Sequence, residues 1–188
     1  MISSKQRAQS VQFRRAQPAD IPRLHALIQR SARALTTKDY SPAQVEAALQ
    51  SAWGVDSQLI ADQTYFIAEH EAQPVACGGW SFRGTLFGAD TGPDRVPTRL
   101  DPTREPARIR AFFVHPDWAR QGLGRTLLEY CERAASKEGF KCAQLVATLP
   151  GMRLYAACGY QPGEARDYPL AGGLTIRFIT MAKDLTPP

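Results

Sequence analysis

Between positions 108 and 137 a strand pattern, a glycine turn and a long helical pattern follow one another with little chain between them. Arg108-Ile-Arg-Ala-Phe-Phe-Val114 has the aliphatic and aromatic character of a buried strand. His115 to Gln121 is a loop. From Gly122 to about Lys137, Leu123, Leu127, Leu128, Cys131, Ala134 and Ala135 recur on one helical face. The first N–H groups of a helix have no intrahelical partner, point the same way and carry the positive end of the helix dipole. Gly122 and Gly124 let a ligand approach that backbone closely. A strand feeding such a helix start makes an anion site suited to a phosphate or pyrophosphate. Arg120 and Arg125 add charge beside it.

The rest of the chain supplies a mixed α/β order. Val11 to Arg15 alternates as a first strand, and Gln17-Pro-Ala-Asp20 turns the chain, with Asp20 expected as a helix N-cap and Pro22 in the first turn. Ile21, Leu24, Leu27, Ile28 and Leu35 share one face of a first helix. Ser41-Pro42 starts a second, carrying Val45, Ala48, Leu49 and Ala52 before Gly54. Thr64–Ala68 and Val75–Trp80 read as a hairpin around Glu71–Pro74, and its paired glycines predict a bulge or a close backbone approach. Residues 83–106 form a long loop insertion, either a substrate-side lid or edge, or a solvated excursion. Cys142–Ala147 is a strand, Pro150–Cys158 a short helix, and Tyr160–Ala182 two last strands around Pro169–Gly173. The expected fold class is α/β with a mixed sheet of about seven strands and four helices. A single domain spans 11–184, and residues 1–10 read as a disordered lead.

Composition narrows the function classes. The chain has 188 residues, 44% hydrophobic and 22% charged, which is ordinary for one globular domain and excludes collagen-like, disordered and disulfide-dense chains. A net charge of +5 gives a solvated basic surface or attraction for an anionic ligand. The arginines are spread along the chain, which argues against a nucleic-acid module. Cys77, Cys131, Cys142 and Cys158 make no C-x-x-C pair or metal spacing and fit a reducing cytoplasm. His25, His70 and His115 are too scattered for zinc; His25 reads as half-buried packing. The first ten residues have no apolar core of a signal peptide, and no stretch is long enough to span a membrane.

No Walker loop is present, and position 127 is Leu, so the full G-x-G-x-x-G is absent too. Two segments in a fixed order are more specific: V-x-P-x(5)-G-x-G-x-x-L-L from Val114 to Leu128, and Leu-Tyr-x-x-x-Gly-Tyr from Leu154 to Tyr160. Together they resemble the GNAT superfamily of N-acetyltransferases, over roughly residues 11–182.

The resemblance implies a GNAT-like acyl-CoA N-acyltransferase fold, acetyl-CoA as co-substrate, no metal, and a small-molecule or peptide amine as acceptor. It implies that Phe112, Phe113 and Val114 bond the pantetheine arm through their main chain where the sheet splays, with N–H groups near Phe113 and Val114 facing the developing oxyanion. Ala119, Arg120, Gln121, Gly122, Leu123, Gly124, Arg125 and Thr126 would cradle the pyrophosphate. Thr148 stands where many members have Asn. Tyr155 would donate a proton to the departing thiolate as general acid. Many members carry a basic Glu on the strand where this chain has Arg108, so the general base is open among Glu69, His70, Asp39 and a water relay. Arg108 and Arg110 share a strand face and would pair with a carboxylate or phosphate on the acceptor, or with acids in the 83–106 loop. Tyr40 lies where such folds shape the acceptor pocket and is expected as a substrate contact. Many members dimerise, so a homodimer is open. The rival reading is a non-catalytic acetyl-CoA sensor acting on a protein partner.

Overall fold

A computed structural model describes residues 10–90 and 95–185. Seven strands form one sheet in the order β1-β2-β3-β4-β5-β7-β6. They are β1 (Gln12–Arg15), β2 (Tyr65–His70), β3 (Gln73–Ser81), β4 (Ala107–Val114), β5 (Cys142–Thr148), β6 (Gln161–Pro169) and β7 (Thr175–Asp184). The helices are α1 (Ile21–Leu35), α2 (Pro42–Leu49), α3 (Ser57–Ala61), α4 (Leu123–Lys137) and α5 (Met152–Ala157). The expected order of elements stands, with α3 as an added fifth helix. The lead was expected over residues 1–10, and 1–9 lie outside the described residues.

All neighbouring strands run antiparallel except β4 and β5, which are parallel and pair only at Ala107 with Ala143 and Arg108 with Gln144. Beyond Arg108 the two strands part, while β5 stays paired with β7 over its whole length, from Cys142 to Thr148. The remaining length of β4 therefore has a free edge on that side.

One face of the sheet packs against α4, where Leu123, Leu127, Leu128, Cys131 and Ala135 meet Ile109, Ala143, Leu145 and Met181. The other face packs against α1 through Leu24, Leu27 and Ile28, with Tyr65, Ile67 and Cys77 beneath them. The two apolar stripes read from the sequence are these two faces.

Three local expectations need correction. Asp20 makes no side-chain cap of α1. Its carboxylate instead accepts from the Gln17 N–H at 2.8 Å and pairs with Arg14 and Arg23. The β2–β3 turn is shorter than expected: Glu71 and Ala72 alone make it, both at positive φ, and Pro74 lies within β3. His25 is exposed. The Ser41 start is as read: its Oγ accepts from the Gln44 N–H while the Gln44 side chain accepts from the Ser41 N–H.

Candidate active site

The gap between β4 and β5 opens into a cavity of about 670 Å³ that reaches both faces of the sheet. Its geometry starts with a bulge. Cys77 lies opposite Phe113 and Gly79 opposite Arg110, so Ala111 and Phe112 share the space opposite Gly78. Ala111 takes up the extra residue with a φ of 56°. The bulge changes which side chains face which way: Ile109, Phe112 and Val114 pack with the α4 core, Ala111 and Phe113 with the α1 core. Gly78 is required beneath it, since a Cβ there would lie 2.6 Å from the Phe112 ring. This is the close approach that the glycines of β3 predicted.

At one end of the cavity stands the start of α4. Its N-cap is Gly122, at a φ of 88°, and no side chain caps the helix. The first helical bond runs from the Thr126 N–H to the Gly122 carbonyl at 3.0 Å, so the N–H groups ahead of it point free of the helix. Ala119, Arg120, Gly122, Leu123, Gly124, Arg125 and Arg153 line this end. Free N–H groups, a dipole and three guanidinium groups fit the two phosphates of a coenzyme A. Arg153 was missed in the sequence, although it immediately precedes the second motif, next to Leu154. Gln121 and Thr126 do not line the cavity. Gln121 Nε2 donates to the Asp117 carbonyl at 2.9 Å, and the Thr126 N–H is spent within the helix.

Tyr155 stands in the middle, on α5, its ring edge-on to Phe112 at 6.3 Å and to Tyr160 at 5.9 Å. It is 8% exposed and lines the cavity. Burial pushes its phenol well above the ordinary value, so the hydroxyl keeps its proton. Phe112, Phe113, Val114 and Thr148 line the cavity as well. The Val114 N–H faces Ser31 Oγ on α1 at 3.3 Å, a long bond that a better acceptor would replace. Thr148 Oγ is engaged by the Gly151 N–H at 3.2 Å and so holds the turn into α5.

The other end is apolar. Leu35, Ala52, Trp53, Leu86, Phe87 and Phe178 line it, and Arg110 lies among them. Phe87 sits edge-on to Tyr168 at 5.0 Å and to Phe178 at 5.7 Å. The long loop therefore contributes a wall: Arg83 pairs with Asp62 at 2.7 Å, and the Asp90 N–H bonds the Val55 carbonyl at 3.2 Å. Arg110 is 5% exposed and ion-paired with fully buried Asp56. Asp56 also accepts from Arg95 at 2.9 Å and from the Gln58 N–H at 3.1 Å. Asp56, from outside the long loop, was not anticipated as a partner. Arg108 is not at the cavity; it bonds Gln144 between β4 and β5.

Tyr40 is likewise away from the cavity wall. Its hydroxyl donates to the Arg177 carbonyl at 2.7 Å and accepts from the Leu149 N–H at 2.8 Å. With both roles taken it ties the α1–α2 loop to β7 and to the turn after β5. Among the described residues that line the cavity there is no carboxylate and no imidazole. Glu69 is held by Arg14 through two bonds at 2.7 and 2.8 Å. His70 bonds Ser10 at 2.8 Å and packs on Trp118, and Asp39 is exposed outside the cavity. His115 Nδ1 accepts from the Asp117 N–H at 3.2 Å, which makes it a cap of the short turn before Ala119.

No described helix is long and apolar enough to cross a membrane. No group of three or more His, Cys, Asp or Glu among the described residues is placed to hold a metal ion.

Comparison with known proteins agrees with this geometry. The family profile described as the acetyltransferase (GNAT) domain matches residues 61–162, more than half of the chain. A GCN5-related N-acetyltransferase structure from Rhodopseudomonas palustris is similar over 94% of this chain and 96% of its own, with 22% identity and a TM-score of 0.69. The ribosomal-protein-S18-alanine N-acetyltransferase of Escherichia coli is similar over 95% and 96%, with 18% identity and a TM-score of 0.59. YncA of Salmonella typhimurium, solved with its cofactor acetyl-CoA, is similar over 94% and 95%, with 15% identity and a TM-score of 0.59. No curated protein sequence matches the chain. The bulged β4, the parted β4–β5 edge and the glycine-led α4 thus carry a matching family profile, and the chain belongs to the GNAT acetyltransferase family.

Proposed function

We propose that the chain is an acetyl-CoA-dependent N-acetyltransferase with an amine as acceptor and Tyr155 as general acid. The observation that carries this is one continuous cavity, running from the free N–H groups of α4 past Tyr155 to an apolar end. The residues present fit coenzyme A: free backbone donors and guanidinium groups at the phosphate end, and an unpaired β4 edge for an amide-bearing arm. When bound, acetyl-CoA supplies an activated acyl group as a thioester.

The chain's residues then have four tasks. The α4 start and Arg120, Arg125 and Arg153 hold the phosphates. The free edge of β4 at Phe112 to Val114 aligns the arm. The Val114 N–H exchanges Ser31 Oγ for the acyl oxygen and stabilises the charge that develops there. As the amine nitrogen bonds to the acyl carbon and the carbon–sulfur bond breaks, Tyr155 gives its proton to sulfur and recovers one from water. The proton lost by the amine leaves through water.

Calorimetry of acetyl-CoA binding tests the placement. Gly124→Glu puts a carboxylate at the phosphate end, where a Cβ already meets Leu154 at 3.0 Å. Binding is expected to weaken tenfold or more in a variant shown by circular dichroism to be folded. Unchanged affinity in that variant would show that the phosphates bind elsewhere.

A further inference from the structure

Among the described residues, the apolar end of the cavity contains one charged side chain, and that side chain has donors to spare. Arg110 has five N–H donors. Nη1 faces Asp56, and Nη2 donates to the Gly88 carbonyl at 2.6 Å. Nε is buried and has no hydrogen-bond partner among the described residues. A buried unmet donor on a cation costs stability, and a planar carboxylate satisfies it better than any neutral group. Around it, Trp53, Phe87, Phe113 and Phe178 offer aromatic surface, while Leu35 and Leu86 add aliphatic surface. Phe113 follows Arg110 by three positions, across the bulge at Ala111, and Arg110, Phe113 and Val114 all line the same cavity.

We propose that the acceptor is a small α-amino acid with an apolar, aromatic-sized side chain, and that Arg110 is a specificity-determining residue that binds its carboxylate. This rests on the acetyl-transfer reading above and names the substrate class of that same site. The aromatic end takes the side chain, Arg110 takes the carboxylate, and the α-amine is left facing the acyl group. The transfer balances simply: the nitrogen–carbon bond forms, the carbon–sulfur bond breaks, one proton leaves the amine and one reaches sulfur.

The test compares L-phenylalanine with 2-phenylethylamine, which lacks only the carboxylate, and with L-phenylalaninamide and Nα-acetyl-lysine. The rate of free thiol release gives kcat/KM for each. In parallel, calorimetry with coenzyme A present compares binding of N-acetyl-L-phenylalanine with that of N-acetyl-2-phenylethylamine. The expected result is a preference of tenfold or more for L-phenylalanine over each of the other amines, and for N-acetyl-L-phenylalanine over N-acetyl-2-phenylethylamine. In Arg110→Lys, and in the charge-balanced pair Asp56→Asn with Arg110→Met, the ratio should fall at least tenfold. Equal or better turnover of 2-phenylethylamine, L-phenylalaninamide or Nα-acetyl-lysine by the unmodified protein would overturn the acceptor assignment and leave acetyl transfer standing. Carboxylate-selective binding with no thiol release from any amine would overturn acetyl transfer and leave the Arg110 site standing. The comparison within the unmodified protein decides the matter even if both variants fail to fold.

Discussion

Asp56→Asn should unfold this protein far more readily than its single lost charge suggests. Asp56 is fully buried and touches three things: the guanidinium of Arg110, that of Arg95 at 2.9 Å, and the N–H of Gln58 at the start of α3. Asparagine keeps the size and caps a helix as well as aspartate, so the α3 start is preserved. What is lost is the countercharge of Arg110, whose side chain is only 3% exposed. Removing one partner of a buried ion pair costs about 3–5 kcal/mol, because the other charge stays desolvated. For a chain of this size that is a fall in Tm of about 6–20 °C, at roughly 2–4 °C per kcal/mol. Urea denaturation followed by circular dichroism gives the free energy, and the companion Asp56→Asn/Arg110→Met removes both charges. The double variant should recover most of the loss, since a buried pair replaced by apolar groups is often neutral. A loss of under about 1 kcal/mol in Asp56→Asn, or a double variant as weak as the sum of its parts, would refute the reasoning.

Further outcomes follow from the same geometry. Gly78→Ala forces the Phe112 ring off its seat, since the new Cβ would lie 2.6 Å from it. It should cost about 1–3 kcal/mol by overpacking and weaken acetyl-CoA binding, read by urea denaturation and calorimetry. Alkali should destabilise the protein. Burial pushes the Cys77 thiol up from 9.0 to about 12 and the Tyr40 phenol from 10.0 to about 12. Below pH 9 that contribution is fully present; above it the unfolded chain loses protons that the folded one keeps, so stability falls as pH rises towards 12. Urea midpoints measured from pH 8 upward should decline, less steeply in Cys77→Ala. Acid acts through Asp20, whose carboxyl is held well below the usual range by its hydrogen bond from Arg14. That contribution is present above the ordinary carboxyl value and lost as pH falls below it, and Asp20→Asn should flatten the acid limb of the urea profile.

What could be read from the sequence was whatever one segment expresses by itself. The α4 stripe and Gly122 report their own conformation, so the helix and its uncapped start were legible together. Gly78 was legible as a tight spot, but its cause, the Phe112 ring, comes from another strand. Five residues of α3 are too few to show a period. The Glu71–Ala72 turn has positive φ without glycine or asparagine, so its place was legible but its two-residue length was not. The site hid where distant segments meet. Arg110 finds Asp56 across 54 positions of sequence, and the Tyr40 hydroxyl is spent on Leu149 and Arg177, more than 100 positions away. Strand alternation put Arg108 and Arg110 together; the end of β4–β5 pairing at Arg108 separates them, leaving one in the sheet and the other in the cavity.

The most direct test of the account is mass spectrometry of amines incubated with acetyl-CoA and either the unmodified protein or Tyr155→Phe. An N-acetylated product is expected, formed about tenfold or more slowly by the variant, as for loss of a general acid, with acetyl-CoA affinity unchanged. An equal rate from Tyr155→Phe would contradict the role given to that hydroxyl.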